Sequence, residues 1–134
     1  MKKLNIQIPI FNVDLKVLIG SKCAIAQYIQ DATASIIEIA CPDTGAECIS
    51  NNSNQTDEFL YITLYDEYDI KTTSFNIIHE SLHAAFKVCK YRGIEPDEEI
   101  LCYLQGFILE KLFKCLNVEL MEVTNHLPTQ EGEQ

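Results

Sequence analysis

The chain has 134 residues, 47% hydrophobic and 22% charged, which suits one globular domain with a core that is stable without disulfide or metal staples. Its formal net charge of -10 argues against a nucleic-acid partner, since phosphate-binding surfaces need clustered Lys and Arg. No apolar run approaches the roughly 18 residues of a membrane span, so no membrane partner is expected either.

The first residues, MKKLNIQIPIFNVDLKV, carry the lysines of a signal peptide. Asn5, Gln7, Asn12 and Asp14 break the apolar region, and no small-residue cleavage site follows. Alternation of Leu4, Ile6, Ile8 and Ile10, then of Val13, Leu15, Val17 and Ile19, predicts two strands instead, with Pro9 setting the first near a sheet edge. Ser21 is positioned to cap a helix that buries Ile25, Tyr28, Ile29 and Ala32. SIIEIAC, residues 35–41, reads as a third strand closed by a turn at Pro42 to Gly45. The polar run SNNSNQTD is a loop, and EFLYITLY after it is a fourth strand. Its propensities suit ordinary sheet core; as an edge beside a metal site it could also take an extended peptide as an added strand.

Residues 75–92 predict a helix. Thr72, Thr73 and Ser74 offer capping hydroxyls, and Gly93 offers a stop. Between them Phe75, Ile78, Leu82, Ala85, Phe86 and Cys89 form a stripe expected to face the core. A second long helix follows, with Pro96 at its first position, carboxylates in its first turn, and Ile100, Leu104, Phe107, Ile108 and Leu112 as its apolar side. Past Asn117 the pattern fades. The chain therefore reads as one domain over residues 1–123 and a flexible acidic tail over 124–134, in which His126 is expected to be solvated. The expected class is α+β, a small, mostly antiparallel sheet covered by three helices.

Six cysteines without a secretory signal suggest a reducing, cytoplasmic compartment. Cys89, Cys102 and Cys115 fall among apolar helical residues and read as core fillers, while Cys41 and Cys48 flank a turn and could pair if oxidised.

The chemistry concentrates in HESLH, residues 79–83. On a helix His79 and His83 project from one face a turn apart, as two imidazoles must to grip one metal ion. Glu80 lies beside them, where a carboxylate can take a proton from a metal-bound water. A catalytic zinc has three protein ligands and an open position, so one more donor is needed. Glu99 shares a helical face with Tyr103 and Gly106 and would approach the pair if the two long helices pack antiparallel through the turn at Gly93. Glu98 is its near rival, and either could instead serve only to complement the helix dipole.

The stretch 75–110 resembles a group of small phage-encoded HExxH proteins, similar to a minimal zincin metallopeptidase of the glutamate-ligand type. The shared elements are HESLH, the pair Gly93-Ile94, the acidic DEE, and CYLQGF with a Glu four residues before its Tyr. Cys102 and Phe107 stand where Ala and Trp are commoner. The resemblance implies one Zn2+ per chain held by His79, His83 and Glu99, and it selects Glu99 over Glu98. It also implies hydrolysis of a peptide or related amide bond in a peptide or protein substrate. Glu80 would be the general base, and Tyr103 would support Glu99 or help stabilise the oxyanion.

A partial likeness links AECIS, residues 46–50, to the EGCLS motif of peptide deformylases, with Cys48 as the alternative third ligand. Ala46-Glu47 replaces Glu-Gly, and the Asp inside the histidine motif is missing. A non-catalytic zinc-containing phage protein, such as a host-factor inhibitor or particle component, is the rival from another class. Retention of Glu80 favours an enzyme, since a structural site has no need of a base.

Overall fold

The computed structural model describes residues 1–33, 45–51, 58–66 and 70–116, with backbone alone for 70–74. The elements are β1 (Lys2–Ile8), β2 (Val13–Gly20), α1 (Lys22–Thr33), β3 (Ala46–Ser50), β4 (Leu60–Tyr65), α2 (Ile70–Tyr91) and α3 (Glu98–Leu116). The α+β class and the three helices match expectation. The expected strand at 35–41, most of the turn after it and the tail at 124–134 lie outside the described residues.

The sheet runs β1-β2-β4-β3. β1 pairs antiparallel with β2, β2 parallel with β4, and β3 antiparallel with β4, so the sheet is mixed. Pro9 sits just past the end of β1, which is an edge strand as expected. β4 is internal and all six of its residues are buried, so it is sheet core and offers no edge. That edge belongs to β3, AECIS, a strand that propensity alone did not single out.

Period-two alternation gives the sheet two apolar faces. Leu15, Val17, Leu60, Ile62 and Leu64 pack with the buried sides of α2 and α3. Leu18, Tyr61 and Tyr65 point the other way, onto Ile25 and Ile29 of α1. Ser21 caps α1 as expected, its Oγ accepting from the Ala24 N–H at 3.2 Å.

α2 begins at Ile70, so Thr72, Thr73 and Ser74 lie inside the helix and are not its caps. Its buried face also departs from expectation. Ile77, Ser81, Ala84, Ala85, Val88 and Cys89 are buried, whereas Phe75 is 73% exposed and Ile78, Leu82 and Phe86 are about half as exposed or somewhat more. Only Ala85 and Cys89 of the expected stripe face the core. The physical reason is reach: Ser81, Ala84 and Ala85 are small, so this face can come close to the sheet while the bulky face turns outward.

The end of α2 is a Schellman motif. Ile94 N–H donates to Cys89 O at 2.9 Å, Gly93 N–H donates to Lys90 O at 3.3 Å, and Gly93 has φ +62°. A Cβ at Gly93 would meet nothing within 4 Å, so substitution there costs backbone strain alone. Gly93→Ala is expected to lower stability by about 1 kcal/mol, read as a fall in the urea midpoint with an unchanged slope.

Asp97 caps α3, its Oδ1 accepting from Ile100 N–H at 2.8 Å, so Pro96 precedes the cap and does not open the helix. Leu104, Ile108 and Leu112 are buried, with Ile100 and Phe107 partly so, as expected. Cys102 and Cys115 are exposed, contrary to their reading as core fillers, because they fall on the face of α3 turned from the sheet. Arg92 ties the helix turn to the sheet. It donates to Phe11 O at 2.6 Å and Asn12 O at 2.8 Å, and pairs with Glu58 at 2.8 Å.

Candidate metal centre

His79 and His83 lie one turn apart on the outer face of α2, and their Nε2 atoms are 3.2 Å apart. The rings meet edge to face, with centroids at 4.9 Å and planes at 68°. Two readings fit this approach. In one tautomer pairing, one Nε2–H donates to the other Nε2. Alternatively both lone pairs face a common ion. At a zinc–nitrogen distance of about 2.0–2.1 Å, a separation of 3.2 Å subtends an angle of about 100–106° at the metal, close to tetrahedral. The pair thus fits two corners of a zinc site.

Glu80 takes a different position on the same turn. Its side chain is 11% exposed against 60% for His79, and its Oε2 lies 3.9 Å from His79 Nε2. The carboxylate turns inward towards β3, where the backbone N–H of Cys48 donates to it. Burial pushes the Glu80 carboxyl above its ordinary range. The imidazoles and the Cys48 N–H pull it back in part, and the nearby Glu47 carboxylate pushes it up further. A carboxylate that is partly desolvated, held by one hydrogen bond and within 4 Å of a histidine nitrogen is a good proton acceptor.

The proposed third ligands are not assembled with the pair. Among the described residues, no group of three His, Cys, Asp or Glu side chains is arranged to hold a metal ion. Glu98 and Glu99 are exposed in the first turn of α3. The register of the two helices explains why. Gln105 Nε2 donates to Ile78 O at 3.2 Å and to Ser81 Oγ at 3.3 Å, so Gln105 is the α3 residue beside the pair. Glu99 lies six positions earlier, about 9 Å back along the helix axis. The antiparallel packing is as expected, but its register leaves Glu99 near the far end of α2.

Tyr103 also stands apart from the pair. It is 45% exposed, stacked on Phe107 and tilted against Phe11 in the β1–β2 turn, with both ring centroids at 6.4 Å. Cys48 comes nearer, on the strand that faces α2. Its thiol is pushed up to about 12, first by burial and then by the Glu80 carboxylate, with Lys87 opposing. It is a neutral thiol at physiological pH.

Sequence reasoning missed Gln105 and the β3 backbone as neighbours of the motif. Gln105 had a faint signal, lying next to the buried Leu104 in a helix expected to pack on α2; the role of the Cys48 N–H belongs to the backbone and has no residue signature. Comparison with descriptions of known protein families, with curated proteins and with solved structures gave no match. Among the described residues no helix is long and apolar enough to cross a membrane.

Proposed function

We propose that this chain is a zinc-dependent hydrolase, a metallopeptidase of zincin type cleaving a peptide or related amide bond. The observation that carries the reading is the convergence of two Nε2 atoms 3.2 Å apart with a carboxylate oxygen 3.9 Å from one of them. His79 and His83 would hold the ion, and Glu99 would complete the set. When bound, zinc polarises a scissile carbonyl and acidifies water at the site. Glu80 accepts the proton of the attacking water and delivers it to the leaving amine. The Cys48 N–H fixes the direction from which Glu80 works, and burial makes it a stronger base than a solvated carboxylate. The Tyr103 ring secures α3 against the β1–β2 turn.

The part given to Glu99 rests on the family resemblance, since the pair stands apart from it here. Cys48 gives a second reading, a deformylase-like ligand set, favoured by its place on β3, which packs against α2. Chelator competition on Glu98→Gln, Glu99→Gln and Cys48→Ser separates them. The expected result is a strong loss of zinc affinity for Glu99→Gln alone, because two histidines hold the ion poorly. If Glu99 merely complements the helix dipole, both Gln variants cost about 0.3–1 kcal/mol of stability and keep their zinc. Selective loss in Cys48→Ser transfers the third position to the thiolate. Zinc retention without turnover on any peptide pool would favour a non-catalytic zinc protein.

A further inference from the structure

Phe75, Ile78, Leu82 and Phe86 follow one another along α2 at intervals of three, four and four residues, over about 17 Å of helix. That spacing sets them in one row, as in the seam of a packed helix pair. All four are exposed, and together they leave about 400 Å² of apolar surface in water, with Phe75 contributing the largest share. Single exposed apolar residues are ordinary, but a contiguous row of this area marks a contact surface. A groove of about 320 Å³ runs along the row, completed by both imidazoles and by Gln105 of α3. None of its lining residues is a carboxylate, although the chain as a whole carries a net charge of -10.

We infer that this face binds a second copy of the chain, with the two α2 helices antiparallel across a two-fold axis between Glu80 and Ser81. The row is nearly palindromic about that point, as a self-complementary interface must be. Phe75 falls level with Phe86 of the second copy, and Ile78 within one residue of the second copy's Leu82. Area supports the same occupant. Two rows cover about 800 Å² of apolar surface, and the rim supplied by His79, His83 and Gln105 brings the contact towards the roughly 1,200 Å² at which specific association begins. Charge selects the antiparallel arrangement. Lys90 is exposed on the histidine flank one turn beyond Phe86, so it would face its own mate in a parallel pair and lies about 28 Å along the helix from it in the antiparallel one. The inference stands apart from the zinc reading, since no ion takes part in the contact. Joined to that reading, it makes the dimer a closed form in which both histidine pairs are covered.

The test is sedimentation equilibrium on the full chain with a chelator present, so that no ion bridges the copies. The mass should be that of two chains at about 100 μM and fall to one on dilution. Phe75→Ser and Leu82→Ser lie at exposed positions, so each should keep the circular dichroism of the parent while weakening association about tenfold or more. Added salt should strengthen the dimer, because it screens the repulsion of two acidic chains and leaves apolar contact intact. A short bis-maleimide fixes the geometry, with the parent as control for its own exposed cysteines. Leu82→Cys, within about 5 Å of its mate along the helix, should be linked, and Phe75→Cys, about 17 Å from its mate, should not. A parent that is monomeric throughout overturns the inference, as does a dimer that both serine variants leave unchanged or that salt dissociates. Linking of Phe75→Cys as readily as Leu82→Cys overturns the antiparallel pairing. Zinc content plays no part in any of these outcomes, so failure of the metal reading is scored separately.

Discussion

Replacing either His79 or His83 with alanine is expected to empty the protein of zinc. The parent should carry about one ion per chain by elemental analysis, and each variant should lose affinity by more than the roughly 10–100-fold that follows loss of an outer supporting hydrogen bond. The argument is geometric. The two Nε2 atoms lie 3.2 Å apart on one helix, so neither alone supplies the bite that the pair would offer a metal. Both side chains are exposed, so the substitutions remove no core packing, and circular dichroism should be unchanged. Zinc that survives replacement of both histidines would sink the metal centre.

Glu80→Gln is the second large effect, and it has two parts. Turnover should fall by about 10²–10⁴ while zinc content holds, because the amide keeps the shape of the side chain but cannot accept a proton. Stability of the zinc-free protein should move the other way. The folded-state carboxyl titrates above its unfolded value, so keeping it ionised in the fold costs free energy at pH above the folded value. That cost disappears as pH falls below the unfolded value, where the group is protonated in both states. The variant should therefore melt higher than the parent near neutral pH and lose that advantage in acid. A lower melting temperature at neutral pH would mean that the Cys48 N–H contact outweighs the desolvation of the charge. Full turnover in the variant would remove Glu80 as the base.

The parts of the fold legible in the sequence are those governed by short-range rules. Alternation located β1 and β2, aromatic and β-branched propensity located β4, the Ser21 hydroxyl and Gly93 marked helix ends, and HESLH located the histidine pair and the carboxylate beside it. Long-range choices were not legible. Whether α2 turns Phe75, Ile78, Leu82 and Phe86 inward or outward depends on what the sheet offers it, and its small face could approach more closely. β3 is five residues of modest propensity, made a strand by antiparallel pairing with β4. The register of α3 on α2 follows from how Leu104, Ile108 and Leu112 pack into the core and is marked by the Gln105 amide reaching Ile78 and Ser81, and that register separates Glu99 from the histidines. Periodicity identifies a helix face; it does not say how far one helix slides along another.

The parallel pairing of β2 with β4 bears on the order in which the site is assembled. Its partners, such as Lys16 with Tyr61, are far apart in the chain, whereas α2 and α3 are joined by a short turn closed at Gly93. Loop-closure entropy delays the first kind of contact and hardly affects the second. The helical hairpin is thus the early unit of folding, and the histidine pair, whose two members share one helix, is complete within it. The Cys48 N–H reaches Glu80 only once β3 has joined a sheet that depends on the late pairing. Formation of the histidine pair and placement of Glu80 beside β3 therefore belong to different stages of folding.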